Sequence, residues 1–185
     1  MNLFKKVLRK ICYFAKSAPP PQFVRVAYCM PRQVVLVTTR YNGADNIWPM
    51  DLHTLLSFKP KLYCISLTTT SYGAELIRKS NVFTLNFVPA TMEEKILFLG
   101  NTSGRNTDKF LAAGLGKEQA KTIDVPRLPN TLGFLECKVQ QILDVGDHTL
   151  FIAEVTYEEF HGNDPQLYHL DGSLDAQKKD YEKNG

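Results

Sequence analysis

The chain has 185 residues, 44% of them hydrophobic and 22% charged, with a formal net charge of +3; this is the balance of one ordinary globular domain with a sizeable core. Five basic residues (Lys5, Lys6, Arg9, Lys10 and Lys16) fall in the first sixteen, which hold no acid, leaving 17 basic against 19 acidic residues elsewhere, so the body lacks the basic stripe that a nucleic-acid surface needs. No apolar run is long enough for a transmembrane helix, and His53, His148, His161 and His169 have no metal-ligand spacing with one another or with the cysteines.

Residues 1–16 place Leu3, Phe4, Val7, Leu8, Ile11 and Phe14 at helical spacing between basic residues. Such a helix packs on its own domain or a second subunit, or makes a weak contact with an anionic membrane surface. Pro19, Pro20 and Pro21 end it as a stiff linker, which divides the chain into residues 1–22, a domain over 23–170 and a polar tail over 171–185. Residues 23–29 read as a strand or an extended arm. Residues 34–40 read as a strand and Gly43 supplies the turn into a second one over 46–50, where Pro49 must occupy a site without a ladder donor. Residues 52–58 are ambiguous and Pro60 stops them. A strand over 62–67, a helix over 72–79 and a strand over 82–87 follow. Met92, Ile96 and Leu99 share one face of a helix over 91–99, stopped by Gly100. Asn106 or Thr107 then caps a short helix through Leu111. Residues 131–143 and 149–160 alternate around Gly146 and Asp147, the pattern of a long β-hairpin. The tail from Gly172 frays. The chain is therefore mainly β with peripheral helices, a closed or partly closed antiparallel barrel with an N-terminal helical extension. Cys12, Cys29, Cys64 and Cys137 are far apart; they read as reduced thiols, which favours a cytoplasmic setting.

No G-x-G-x-x-G, P-loop, G-x-S-x-G or H-E-x-x-H motif is present. Thr68, Thr69, Thr70 and Ser71 precede a helix, which suits either a phosphate or an ordinary cap. Residues 101–109 bring Arg105 and Lys109 to another helix start, as a phosphate anchor or as a solvated loop. His148, in the hairpin turn, is either exposed or a proton-handling group over a pocket.

The stretch Gly146-Asp147-His148-Thr149-Leu150-Phe151-Ile152-Ala153-Glu154-Val155 resembles a hairpin of the flavin reductase-like, FMN-binding split-barrel family of the flavoredoxin type. Val35-Leu36-Val37-Thr38-Thr39 with Gly43 and Asn46, Ser57-Phe58 before Pro60, Ile65-Ser66-Leu67, Glu75-Leu76-Ile77, Ser103-Gly104-Arg105 and Asp108-Lys109-Phe110 match in order. The resemblance spans residues 31–160. It implies an antiparallel split barrel that forms a homodimer, binds FMN or FAD, and takes electrons from NAD(P)H. It sets Asn46, Trp48, Met50, Asp51 and Leu52 against the flavin ring, largely through backbone groups. Ser71 and Tyr72 fall near the ribityl-phosphate end, Lys109 reaches the phosphate, Asn86 belongs to the cofactor site, and His148 approaches the nicotinamide side. A non-catalytic flavin carrier on the same barrel is the alternative. Family members often carry Thr-Ala-Ser at Pro49-Met50-Asp51 and Arg-Tyr-Thr at Ser71-Tyr72-Gly73. These departures remove two phosphate donors and turn the Asp51 carboxylate toward the flavin.

Overall fold

In the computed structural model, residues 30–162, 164–170 and 173–176 are described; the expected N-terminal helix, proline linker and arm over 23–29 lie outside them. The strands are β1 (Arg32–Gln33), β2 (Val35–Tyr41), β3 (Ala44–Met50), β4 (His53–Phe58), β5 (Lys61–Thr68), β6 (Val82–Phe87), β7 (Glu118–Gln119), β8 (Pro126–Arg127), β9 (Gly133–Val145), β10 (His148–Phe160), β11 (Leu167–Leu170) and β12 (Ser173–Ala176). The helices are α1 (Tyr72–Ser80), α2 (Glu93–Asn101), entered through a 3₁₀ turn at Ala90–Met92, and α3 (Lys109–Ala112).

Seven strands form one antiparallel sheet in the order β3-β2-β6-β9-β10-β5-β4. Val35 and Val37 of β2 share a single apolar cluster with Tyr63, Ile65 and Leu67 of β5, although β6, β9 and β10 lie between these strands in the sheet. The sheet must therefore curl back on itself. Register shifts in β10 at Ile152/Ala153 and Val155/Tyr157 supply the bend, because an extra unpaired residue kinks a strand and sharpens its twist. Ala74 and Ile77 of α1 close this core. Leu36, on the opposite face of β2, enters a second cluster with Ile47, Ile96, Leu99 and Phe110 beneath α2 and α3.

The ambiguous stretch over 52–58 is β4, an edge strand whose Leu55, Leu56 and Phe58 stay exposed; that exposure is why its pattern has no clear period. Pro49 is tolerated because β3 is the other edge. Three expectations are corrected. Asp108, rather than Asn106 or Thr107, caps α3, its carboxylate accepting from the Phe110 and Leu111 amides. Helix α2 runs past Gly100 to Asn101. The tail is not wholly frayed, since Ser173–Ala176 pairs with β11 in a small sheet of order β1-β11-β12.

The outer face of β2, β6 and β9 carries a buried polar row. Thr38 lies opposite Thr84, and Thr84 opposite Glu136. Residues 113–131 cover the row and are held by it. The Thr38 hydroxyl donates to the Pro126 carbonyl at 2.5 Å, and the Leu128 amide donates to Asn86 Oδ1 at 2.9 Å. Glu136 accepts from the Lys121 amide at 2.7 Å and from the Thr122 amide and hydroxyl at 2.6 Å. A buried carboxylate is tolerated when its lone pairs are met in this way.

Candidate functional site

Strand β3 alternates. Ile47 faces the second cluster and Pro49 faces Gly100 of α2, whereas Asn46, Trp48 and Met50 take the other side, with Met50 in the main core and Trp48 packed against it. Two loops close on that side of the edge. At Gly104, between α2 and α3, an added Cβ would fall 2.1 Å from Asn46 Oδ1 and 3.4 Å from Lys109 Cδ. At Gly73, in the first turn of α1, it would fall 2.9 Å from Cε2 and Cζ2 of Trp48. Both glycines are there because backbone must approach a side chain closely.

Three polar groups in this cradle lack a partner. Lys109 opens α3, is 4% exposed, and has no hydrogen bond or ion pair with any described residue. Burial alone pushes its ammonium down to about 8, a cost on the order of 3 kcal/mol at one pKa unit per 1.36 kcal/mol. Asn46 is equally buried and its Oδ1 is unpaired, as is Nε1 of Trp48. An unsatisfied buried polar atom costs about 1–3 kcal/mol, so Asn46 Oδ1 and Trp48 Nε1, beside an ammonium that no described residue pairs, are candidates to meet a ligand rather than to stabilise the fold. What they offer is a cation, an N–H donor and an amide.

The neighbouring polar groups are already engaged. Ser71 caps α1, its hydroxyl accepting from the Ala74 amide at 3.3 Å. Arg105 stacks over Tyr72 at 4.6 Å and pairs with Glu75 at 2.8 Å, clipping the α2–α3 loop to α1. Of the two cations expected for a phosphate, only Lys109 is left uncommitted among the described residues. The Thr68–Ser71 turn meets the hairpin tip: the Thr69 amide donates to the Asp147 carbonyl at 3.0 Å, and Thr68 pairs with His148. His148 is half-exposed with Nδ1 2.7 Å from Asp147 Oδ1. The Thr149 hydroxyl beside it donates to Asp144 at 2.7 Å, and Arg78 donates to that hydroxyl at 2.8 Å. The first turn of α1 thus lies between Trp48 on one side and the His148 corner on the other.

Two expected site residues have their side chains engaged by protein partners. The Asp51 carboxylate is not an unpaired charge: Arg32 Nε donates to it at 3.0 Å and His169 Nδ1 lies 2.7 Å away. Burial raises the Asp51 pKa, but the bonds from His169 and Arg32 outweigh it and hold the carboxyl below its usual range. Asn86 is fully buried, and its amide is spent on the Leu36 carbonyl at 3.0 Å, Thr84 at 3.1 Å and Leu128, so its side chain braces the sheet. Leu52 is exposed, with its carbonyl accepting from the Ser66 amide. The sequence reading missed Gly73 and Gly104 as cradle residues, because nothing along the chain announces a contact with β3. No grouping of three or more His, Cys, Asp or Glu suited to a metal occurs among the described residues, and none of their helices is long and apolar enough to cross a membrane.

A model of the flavin reductase-like domain matches residues 27–177. An uncharacterised protein of Pyrococcus abyssi is 29% identical over 142 residues, covering 74% of this chain and 81% of that one. The NADH:FAD oxidoreductase SgcE6 of Streptomyces globisporus, solved in complex with NAD and FAD fragments, superposes with a TM-score of 0.79 at 19% identity, covering 91% of this chain and 100% of that one. The FMN-binding protein from Thermus thermophilus, solved with 1-cyclohex-2-enone, gives a TM-score of 0.76 at 21% identity over 92% and 98% of the two chains. At these identities the structural likeness is one of fold.

Proposed function

The chain belongs to the flavin reductase-like domain family, and from that premise we propose that it is a split-barrel FMN-binding oxidoreductase using NAD(P)H. The observation that carries this reading is the buried, uncommitted Lys109 beside the unpaired Asn46 and Trp48 at one sheet edge. These groups fit a flavin mononucleotide, which brings an anionic phosphate for a cation and a ring rich in carbonyl acceptors for an N–H donor. A bound flavin would supply the hydride acceptor, so the protein needs no nucleophile of its own.

The chain's own residues bind and orient. Lys109 holds the phosphate charge, and its burial strengthens that attraction over what water would allow. The β3 edge from Asn46 to Leu52 seats the ring, and the Gly104 and Gly73 backbones exclude water over it. Ser71 and Tyr72 fix the start of α1 beside the ribityl end. His148, held by Asp147, shapes the side where nicotinamide enters. FAD in place of FMN, and a homodimer as the working assembly, belong to the same proposal.

The test is the visible absorption of the purified protein after soaking with FMN and desalting. Retained flavin near one per chain, lost in Lys109→Ala, is the expected result. A protein that stays colourless and leaves NADPH and NADH oxidation unstimulated by FMN would end the reading.

A further inference from the structure

The geometry points to Trp48 as a ligand-recognising side chain: its indole N–H donates a hydrogen bond to an acceptor oxygen, carbonyl or phosphoryl, of the bound flavin. The inference rests on the flavin-binding reading and goes beyond it, because the resemblance gives the β3 edge largely a backbone role and assigns no side-chain donor to Trp48.

Four observations carry it. The indole is fixed, its body packed against the main core. Its one polar atom, Nε1, is buried without a partner. Arg105, the nearby cation that could have served instead, is spent on Glu75. The atoms of Trp48 that meet Gly73 are Cε2, which bears the nitrogen, and the adjacent Cζ2, both 2.9 Å from a built Cβ. Any side chain at position 73 would therefore strike the N–H edge of the ring. Glycine is a poor helix residue, and here it has a packing reason. Trp48 and Gly73 form a matched pair: the missing side chain at position 73 makes room for the indole edge. Asn46 lies two residues before Trp48 on the same side of the strand, so a ligand that reaches Lys109 past Asn46 runs along the face bearing the indole.

Trp48 is the only tryptophan in the sequence, so its indole N–H gives a single proton–nitrogen cross-peak. In the full chain that peak should move downfield on adding FMN, as a new acceptor deshields it. Trp48→Phe keeps the ring but loses the donor, and should weaken FMN binding about tenfold by equilibrium dialysis, the size of one buried hydrogen bond. Riboflavin, which lacks the phosphate, separates the two acceptors. If it moves the peak and loses affinity in Trp48→Phe, the partner is a ring carbonyl; if only FMN does so, the partner is the phosphate. An unmoved indole peak, or equal FMN affinity in Trp48→Phe while Lys109→Ala binds less, overturns this inference and leaves the flavin reading standing. Failure of the unmodified protein to bind FMN overturns both.

Discussion

The two faces of β2 and its neighbours treat buried polar groups in opposite ways. On the outer face, Thr38, Thr84, Asn86 and Glu136 are fully buried and every one of them is bonded, largely to the loop over 113–131. At the β3 edge, Asn46 Oδ1 and Trp48 Nε1 are buried without a partner, and the buried Lys109 makes no hydrogen bond or ion pair with a described residue. Arg127, whose Nε and Nη1 also lack partners, still pairs with Glu118 and lies 4.3 Å over the Phe134 ring, so its charge is met. Burial of polar groups therefore does not mark a site here. Burial without satisfaction does, because the first arrangement stabilises the fold and the second costs it stability that a ligand can return.

That contrast breaks most sharply at Glu136. Glu136→Ala strands the Lys121 and Thr122 amides, and should lower unfolding stability by about 3 kcal/mol while leaving FMN affinity of the folded protein unchanged. The urea midpoint measures it; an unchanged midpoint would mean the carboxylate does not hold the loop. Lys109→Met should do the reverse. Removing an unpaired buried charge raises stability by about 1–3 kcal/mol, and losing the cradle's uncommitted cation lowers FMN affinity about 10–100-fold. A variant that is both less stable and equally able to bind would place Lys109 with the structural polar groups.

Much of this fold is legible along the chain, and the site is legible only in part. β2 and β6 announce themselves as short, largely apolar runs because both of their faces are buried, and β10 by alternation because one of its faces is. β4 does not, since an exposed edge strand loses that pattern. The cap of α3 is blurred because Asn106, Thr107 and Asp108 are all good capping types, and only backbone geometry chooses. Lys109 is visible in sequence as a cation at a helix start, but its isolation is a three-dimensional fact. The meaning of Gly73 depends on Trp48, and that of Asp51 on His169, 118 positions away. Each looks like a lost or adverse residue until its partner is known.

A smaller effect follows from the Lys109 proton. The unfolded lysine titrates near 10.5 and the folded one near 8. The unfolded chain thus holds more protons between those values, and stability rises with pH across that window; the desolvation cost is fully present below about 8. An anion at Lys109 needs the ammonium, so FMN binding should weaken as pH climbs through about 8, by up to about tenfold per unit. Titrations of FMN at pH 7 and 9 read this directly. In Lys109→Met the dependence should vanish, and its persistence there would assign it to another group.

The smallest expected effect sharpens the comparison at Asp51, a charged residue at the site's margin whose lone pairs are met. Its folded pKa is depressed by His169 and Arg32 despite burial. Its pairing therefore adds stability above the usual carboxyl range, near 4, and loses it as pH falls through the folded value. The group is partly exposed, so solvent screening holds the contribution to about 1 kcal/mol. Asp51→Asn should cost that amount at pH 7 and progressively less as pH falls through the folded pKa, measured by urea unfolding, with FMN affinity unchanged because Arg32 already pairs with the carboxylate. Tighter FMN binding in Asp51→Asn would mean that the negative charge still reaches the ligand, and Asp51 would then belong with Lys109 rather than with Glu136.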